Sequence, residues 1–329
     1  MAAFEFKKLG KSKSPGTVLY STSGAPPTGV YLPPKHPEKN SSLNVVLWLH
    51  GFYDQDLFTF LGDDGTHVLK SVSDSNQDVV LIAPWLGFGY TADYAAEHKD
   101  MKYGGKPLDP KGQQLDAASE NRVGPKYFGQ VLDGLSQWLQ KNSGAQAPTS
   151  PLKIDRLFVA CHSAGGGAMI LAVDALSADK SNTLKECWGF DCLYPNAKWE
   201  SFFQSHTNLD LYFYNGGGTQ GAGARKQIFG LSQLVYVSRP ASVRRVLLAP
   251  AFDKVGIDKL PIGGPASKVP LYEQFRNDLD PYLGSGAKDA NEKYWKEFNK
   301  NGYAGKLMSH YGVPQNLLTP RIVAAMSKP

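Results

Sequence analysis

The chain has 329 residues, of which 42% are hydrophobic and 20% charged, and its net charge is +5. That is the composition of a soluble globular protein with a sizeable core. No apolar run reaches the ~18 residues of a membrane span, and lysines and arginines are scattered without a run of five, which argues against integral membrane association and against nucleic-acid binding. Cys161, Cys187 and Cys192 are too few, and odd in number, for a disulfide framework, and they read as buried free thiols. The N-terminal "MAAFEFKKLGKSKSPG" has no apolar stretch of signal-peptide length behind its basic residues, which favours a cytoplasmic chain unless a leader has been removed.

Residues 11–42 are rich in Ser, Pro, Gly and Lys, and the first clear element follows them. "LNVVLWLHGF" and "DVVLIAPWLGFG" are continuous apolar runs, the pattern of strands buried on both faces. "GPKYFGQVLDGLSQWLQKN" spaces Phe128, Val131, Leu132, Leu135, Trp138 and Leu139 as one helix face, between a Gly-Pro start and an Asn-Ser-Gly stop. A strand over 156–161 then leads into a helix from about Gly165 to Leu176. "ECWGFDCLY" reads as a strand, "KWESFFQS" as a short helix, "LDLYFYNGGG" and "VRRVLLAP" as strands, and "VPQNLLTPRIVAAM" as a closing helix. Buried strands alternating with helices predict an α/β fold, a mostly parallel central sheet with helices on both faces.

Two long stretches break the alternation. Residues 86–123 mix glycines, aromatics and charges, and residues 253–309 are longer and polar. Both are expected to be lid or pocket insertions on one domain spanning 1–329.

The segment "RLFVACHSAGGGAMI" places Ser163 between an apolar strand and a glycine cluster. Its "CHSAG" resembles the G-x-S-x-G nucleophile elbow of the α/β-hydrolase superfamily, with Cys161 in place of the first glycine. In that elbow a strained strand-to-helix turn exposes the serine Oγ at the carboxyl edge of the sheet. The resemblance covers roughly residues 43–320 through "LHGF", "CHSAGGG", "GFDCLYP" and "SHYGVP". It implies the α/β-hydrolase fold and a lipase- or esterase-like serine hydrolase with no metal or other cofactor.

The superfamily order of nucleophile, acid and histidine then sorts the seven histidines. His36, His50, His67 and His98 precede the serine. His162 adjoins Ser163 and cannot fold back onto it, and His206 falls at the amino end of a strand. His310 remains as the general base. For the acid, Asp191 in "GFDCLYP" resembles the arrangement of pancreatic-type lipases, and Asp253 is the rival. By the same resemblance the oxyanion donors are the backbone N–H groups of Phe52 and Ala164. Tyr53, His162, Trp85, Tyr194 and Tyr311 are the candidate substrate-binding residues near the catalytic edge.

The glycine-rich "NGGGTQGAGARK" lacks the spacing of a phosphate loop. No His, Cys, Asp or Glu group has zinc spacing. The expected substrate is a small molecule or acyl ester, with an amide or peptide bond as the alternative. A non-catalytic binding protein on the same fold is the reading from another class.

Overall fold

An eight-residue apolar strand, β4 (Ser42–Leu49), runs through the core, with Val45 to Leu49 all 0% exposed. It belongs to a computed structural model that describes residues 3–10, 14–34, 41–54, 56–58, 61, 67–143, 147–178, 183–193, 198–206, 208–214, 246–249 and 312–328. These fall into two compact units, Met1–Asp64 with Asn76–Thr183 and Gly65–Ser75 with Leu184–Pro329.

In the first unit β4 is flanked in parallel by β5 (Val80–Pro84) and β8 (Lys153–His162). Beyond β5 lie three antiparallel strands, β3 (Thr28–Leu32), β2 (Thr17–Ser21) and β1 (Lys7–Lys8). The order is therefore β1-β2-β3-β5-β4-β8. The chain crosses from one side of β4 to the other between β5 and β8. In open α/β sheets such a switch point leaves a crevice at the carboxyl ends of the strands.

Two helices of the unit follow directly from the sequence. The helix α4 (Pro125–Ser143) starts on a proline, whose missing N–H costs nothing there, and buries Tyr127, Phe128, Val131, Leu135 and Leu139 on one face. The Tyr127 hydroxyl pairs with Thr28 Oγ1 at 2.9 Å. Burial drives that phenol well above the usual tyrosine range, and the bond to Thr28 offsets this only in part. The helix α5 (Gly165–Ser177) is mostly apolar and buries Ala168, Met169, Ile170, Ala172, Val173 and Leu176.

Residues 86–123 carry short regular elements. The stretch holds α2 (Ala92–Glu97), the two-stranded β6 (Lys102–Tyr103) and β7 (Lys106–Pro107), and α3 (Ala117–Glu120). Thr91 and Asp116 cap the two helices by accepting from Tyr94 N–H and Ala118 N–H. Its rings Phe88 and Tyr90 form a small aromatic core on which Tyr53, Trp85, Tyr94 and Tyr103 pack half-buried.

In the second unit β9 (Leu184–Phe190), β10 (Asp210–Tyr214) and β11 (Val246–Ala249) pair in parallel. The helix α6 (Lys198–Ser205) turns Trp199, Phe202 and Phe203 to one face, at i, i+3 and i+4, and they pack on Phe213 of β10. The closing helix α7 (Gly312–Ser327) packs on α1 (Val68–Asp74), and its Thr319 hydroxyl donates to the Ser71 carbonyl at 2.9 Å. No helix among the described residues is long and apolar enough to cross a membrane.

One charged cluster ties this unit together. Glu186 and Asp210 stand opposite each other on β9 and β10, two carboxylates in adjacent register. Lys328 bridges them at 2.6 and 2.9 Å and also donates to the Tyr212 hydroxyl at 2.8 Å. Burial alone would lower the Lys328 ammonium, but the Glu186 carboxylate and Tyr212 override this and hold it above the ordinary lysine range. Arg321 lies over the Tyr212 ring, 3.8 Å from its centroid. Lys328→Met should therefore cost roughly 2–3 kcal/mol in urea unfolding. That is less than the ~3–5 for breaking a fully buried pair, because Lys328 is 37% exposed. Adding Asp210→Asn should recover part of the loss by removing one of the two facing charges. A double variant less stable than the single would contradict this account.

Candidate active site

The β4–β8 ladder brings two sequence signals together. Leu49 pairs with Cys161, so the residues that follow, His50-Gly51-Phe52 and His162-Ser163-Ala164, leave neighbouring strands side by side. Both strands end there, at the carboxyl edge beside the switch point.

Ser163 has φ 54°, the left-handed region that a non-glycine residue enters at a cost of about 1–3 kcal/mol. It is held in place by contacts that admit no larger neighbours. A Cβ built on Gly51 would stand 2.6 Å from the Ser163 Cβ and 3.2 Å from its Oγ. A Cβ on Gly165 would run into the carbonyl oxygens of Leu49 and His50. The first turn of α5 can approach β4 only because these positions lack side chains. Cys161, in place of the usual small residue, is 0% exposed, and its Sγ meets Met169 Sδ of α5 at 3.7 Å. A soft thioether accommodates that extra atom.

The backbone N–H groups of Phe52 and Ala164 have no acceptor among the described residues. Ala164 is the N-cap of α5, where the helix leaves its first donors unpaired. Phe52 directly follows the glycine that packs on Ser163.

The loop carrying Phe52 is held by the chain that follows β5. Tyr53 N–H donates to Gly89 O at 2.8 Å, and Trp85 Nε1–H to Asp54 O at 3.1 Å. Leu86 N–H donates to His50 Nε2 at 2.7 Å. Of the candidate pocket residues, Tyr53 and Trp85 belong to the half-buried aromatic cluster, and Tyr53 stacks on Tyr94 at 4.6 Å. His162 is buried at the end of β8. Tyr194, His310, Tyr311 and Asp253, with the rest of 253–309, lie outside the described residues.

Asp191 departs from its expected place within a strand. The strand β9 ends at Phe190, and Asp191 follows it with φ 49° and 0% exposure. Its N–H donates to Tyr214 O at the end of β10, 2.7 Å away. An aspartate tolerates this backbone better than most residues, so the turn is available at the carboxyl end of β9. The three cysteines are free and buried, as expected. Among the described residues no group of three or more His, Cys, Asp or Glu stands where it could hold a metal ion. No motif in the sequence announces the bond between His50 and Leu86, thirty-six residues away.

No protein-family model matches the chain, and no curated protein does. Among solved structures it is similar to an S-formylglutathione hydrolase from Agrobacterium tumefaciens, with 14% identity over 75% of this chain and 90% of that one and a TM-score of 0.42. It is also similar to an S954A mutant of the feruloyl esterase module from Clostridium thermocellum, complexed with sinapinate. There the identity is 11% over 77% and 88%, with a TM-score of 0.40. A third is an esterase of Pyrococcus furiosus, at 12% over 83% and 93% with a TM-score of 0.32. The antiparallel start, the switch about β4 and the strained serine between β8 and α5 are the features of the α/β-hydrolase fold, and the chain has that fold.

Proposed function

We propose that the protein is a serine hydrolase that cleaves a carboxylic ester through an acyl-enzyme. The observation that carries the reading is the left-handed Ser163 at the β8–α5 junction, packed against Gly51. Backbone strain at a serine in a strand-to-helix turn persists where its hydroxyl is used.

In the mechanism, Ser163 Oγ attacks the ester carbonyl carbon while His310 accepts its proton. The carbonyl oxygen becomes an oxyanion and accepts hydrogen bonds from Phe52 and Ala164 N–H, which are fixed before the substrate arrives. The tetrahedral species collapses, and His310 returns the proton to the departing alkoxide. Water, deprotonated by His310, then releases the acid and restores Ser163. Asp191 keeps His310 in the required tautomer and stabilises its charged form. An ester is favoured over an amide because an alkoxide leaves with less protonation than an amine nitrogen requires. Tyr53, Trp85, His162, Tyr194 and Tyr311 are the residues assigned here to substrate binding.

A fluorophosphonate probe tests this directly, because Oγ displaces fluoride from phosphorus only when a base activates it. Labelling in EDTA-containing buffer followed by peptide mapping should place one adduct on Ser163. An adduct on another residue, or protection by EDTA that zinc reverses, would overturn the reading.

A further inference from the structure

The imidazole of His50 is fully buried, and its tautomer is fixed by its surroundings. Leu86 N–H lies 2.7 Å from Nε2, and a backbone amide can only donate, so Nε2 carries no proton. The proton is therefore on Nδ1, which stands 2.7 Å from Gly51 O and 3.1 Å from Asp54 Oδ2. Both of those oxygens are acceptors, and they hold the proton where it is.

Gly51 O and Phe52 N–H are the two ends of one peptide unit. Among the described residues the only cis bond is Ala25-Pro26, so this unit is trans, and its oxygen and hydrogen point in opposite directions. A donor that seizes Gly51 O thus sets the direction of Phe52 N–H. The same ring is anchored through Nε2 to the chain after β5, so the ring stays in place and the peptide cannot rotate without breaking its bond to Nδ1. The Phe52 ring is pinned as well: a Cβ on Gly89 would run into it.

We infer that His50, as its Nδ1–H tautomer supported by Asp54, is a positioning residue that orients the Gly51–Phe52 peptide as an oxyanion donor. The inference rests on the serine-hydrolase reading above. His50 touches no reacting atom; it acts through the carbonyl at the far end of the donor's own peptide plane.

The tests separate the two ideas. His50→Asn places an amide nitrogen where Nδ1 was and keeps the donation to Gly51 O. His50→Gln places an amide oxygen where Nε2 was, keeping the bond from Leu86 N–H but losing the clamp. With p-nitrophenyl acetate, His50→Gln should lower kcat by on the order of 10²–10³-fold, the loss seen when an oxyanion donor is removed, with KM changed less than about threefold. His50→Asn should retain kcat within about tenfold of wild type. Equal losses in both variants would overturn the inference, as would a loss carried by KM. Proton–nitrogen correlation spectra of the wild-type histidines give a readout independent of turnover and of how the variants fold. They should show His50 protonated at Nδ1 and bare at Nε2, and the reverse pattern sinks the inference. A wild-type protein without turnover or probe labelling overturns the hydrolase reading instead, and the spectra still decide how His50 holds Gly51.

Discussion

Ser163→Ala is expected to lower p-nitrophenyl ester turnover by roughly 10⁶-fold, the scale set by serine hydrolases that lose their nucleophile. The proposed oxyanion donors remain in the variant, so the activity left behind should still exceed the rate in water alone. Its stability should barely change. Ser163 is 7% exposed, and alanine keeps the Cβ that already fits against Gly51. Ser163→Gly sharpens the test. Glycine adopts φ 54° without the Cβ penalty, so this variant should be equally inactive yet more stable, by up to about 1 kcal/mol. Stability rising as activity vanishes is the signature of strain kept for function. If Ser163→Ala retained most of its turnover, the mechanism would fall. If Ser163→Gly were clearly less stable than wild type, strain at this position would not be the reason for the serine's place.

Asp191→Asn should cost on the order of 10⁴-fold in kcat, the effect of leaving a catalytic histidine in the wrong tautomer. The substitution is clean here because asparagine shares the tolerance of aspartate for a left-handed backbone. The backbone bond from residue 191 to Tyr214 O does not depend on the side chain. Circular dichroism and urea unfolding should thus report an intact fold. Asp253→Asn is the comparison, and it should leave kcat within a few fold. The opposite ranking would move the acid to Asp253 and leave Asp191 with a structural role. If both variants stayed active, Asp278 and Asp280 would be the next to change.

The sequence made the parallel core readable because fully buried strands need apolar residues on both faces. "LNVVLWLH" and "DVVLIAP" could be little else, and apart from Ser42 β4 and β5 lie within them. The helix "KWESFFQS" matches α6 from Lys198 to Ser205 because Trp199, Phe202 and Phe203 show the helical period even in eight residues. The N-terminal strands were missed for the converse reason. "TVLYS" and "TGVYL" are five residues each, set among Ser, Pro and Gly, so composition masked their β-branched and aromatic residues. In 86–123 the helices have six and four residues, too short to establish any period.

At the site, local signals were legible and distant partners were not. The strained turn at Ser163 follows from a short motif at a strand end. Asp191 was placed within a strand because "GFDCLY" is apolar around it, whereas its backbone turns left-handed just after Phe190. His50 and Leu86, or Glu186 and Lys328, meet only after folding, and no spacing in the chain announces them.

The position of β4 between β5 and β8 also has a consequence for synthesis of the chain. Ser42 pairs with Lys153, so one edge of the most apolar strand waits for a partner made about a hundred residues later. At ribosomal rates of ~5–20 residues per second, that wait is roughly 5–20 s. Throughout it, Val45 to Leu49 present unpaired backbone groups, the template on which strands of separate chains join. Nascent chains halted before β8 should therefore be the ones that aggregate or recruit chaperones, and release of the hazard should coincide with the emergence of "RLFVACH", the stretch that ends at the serine's doorstep.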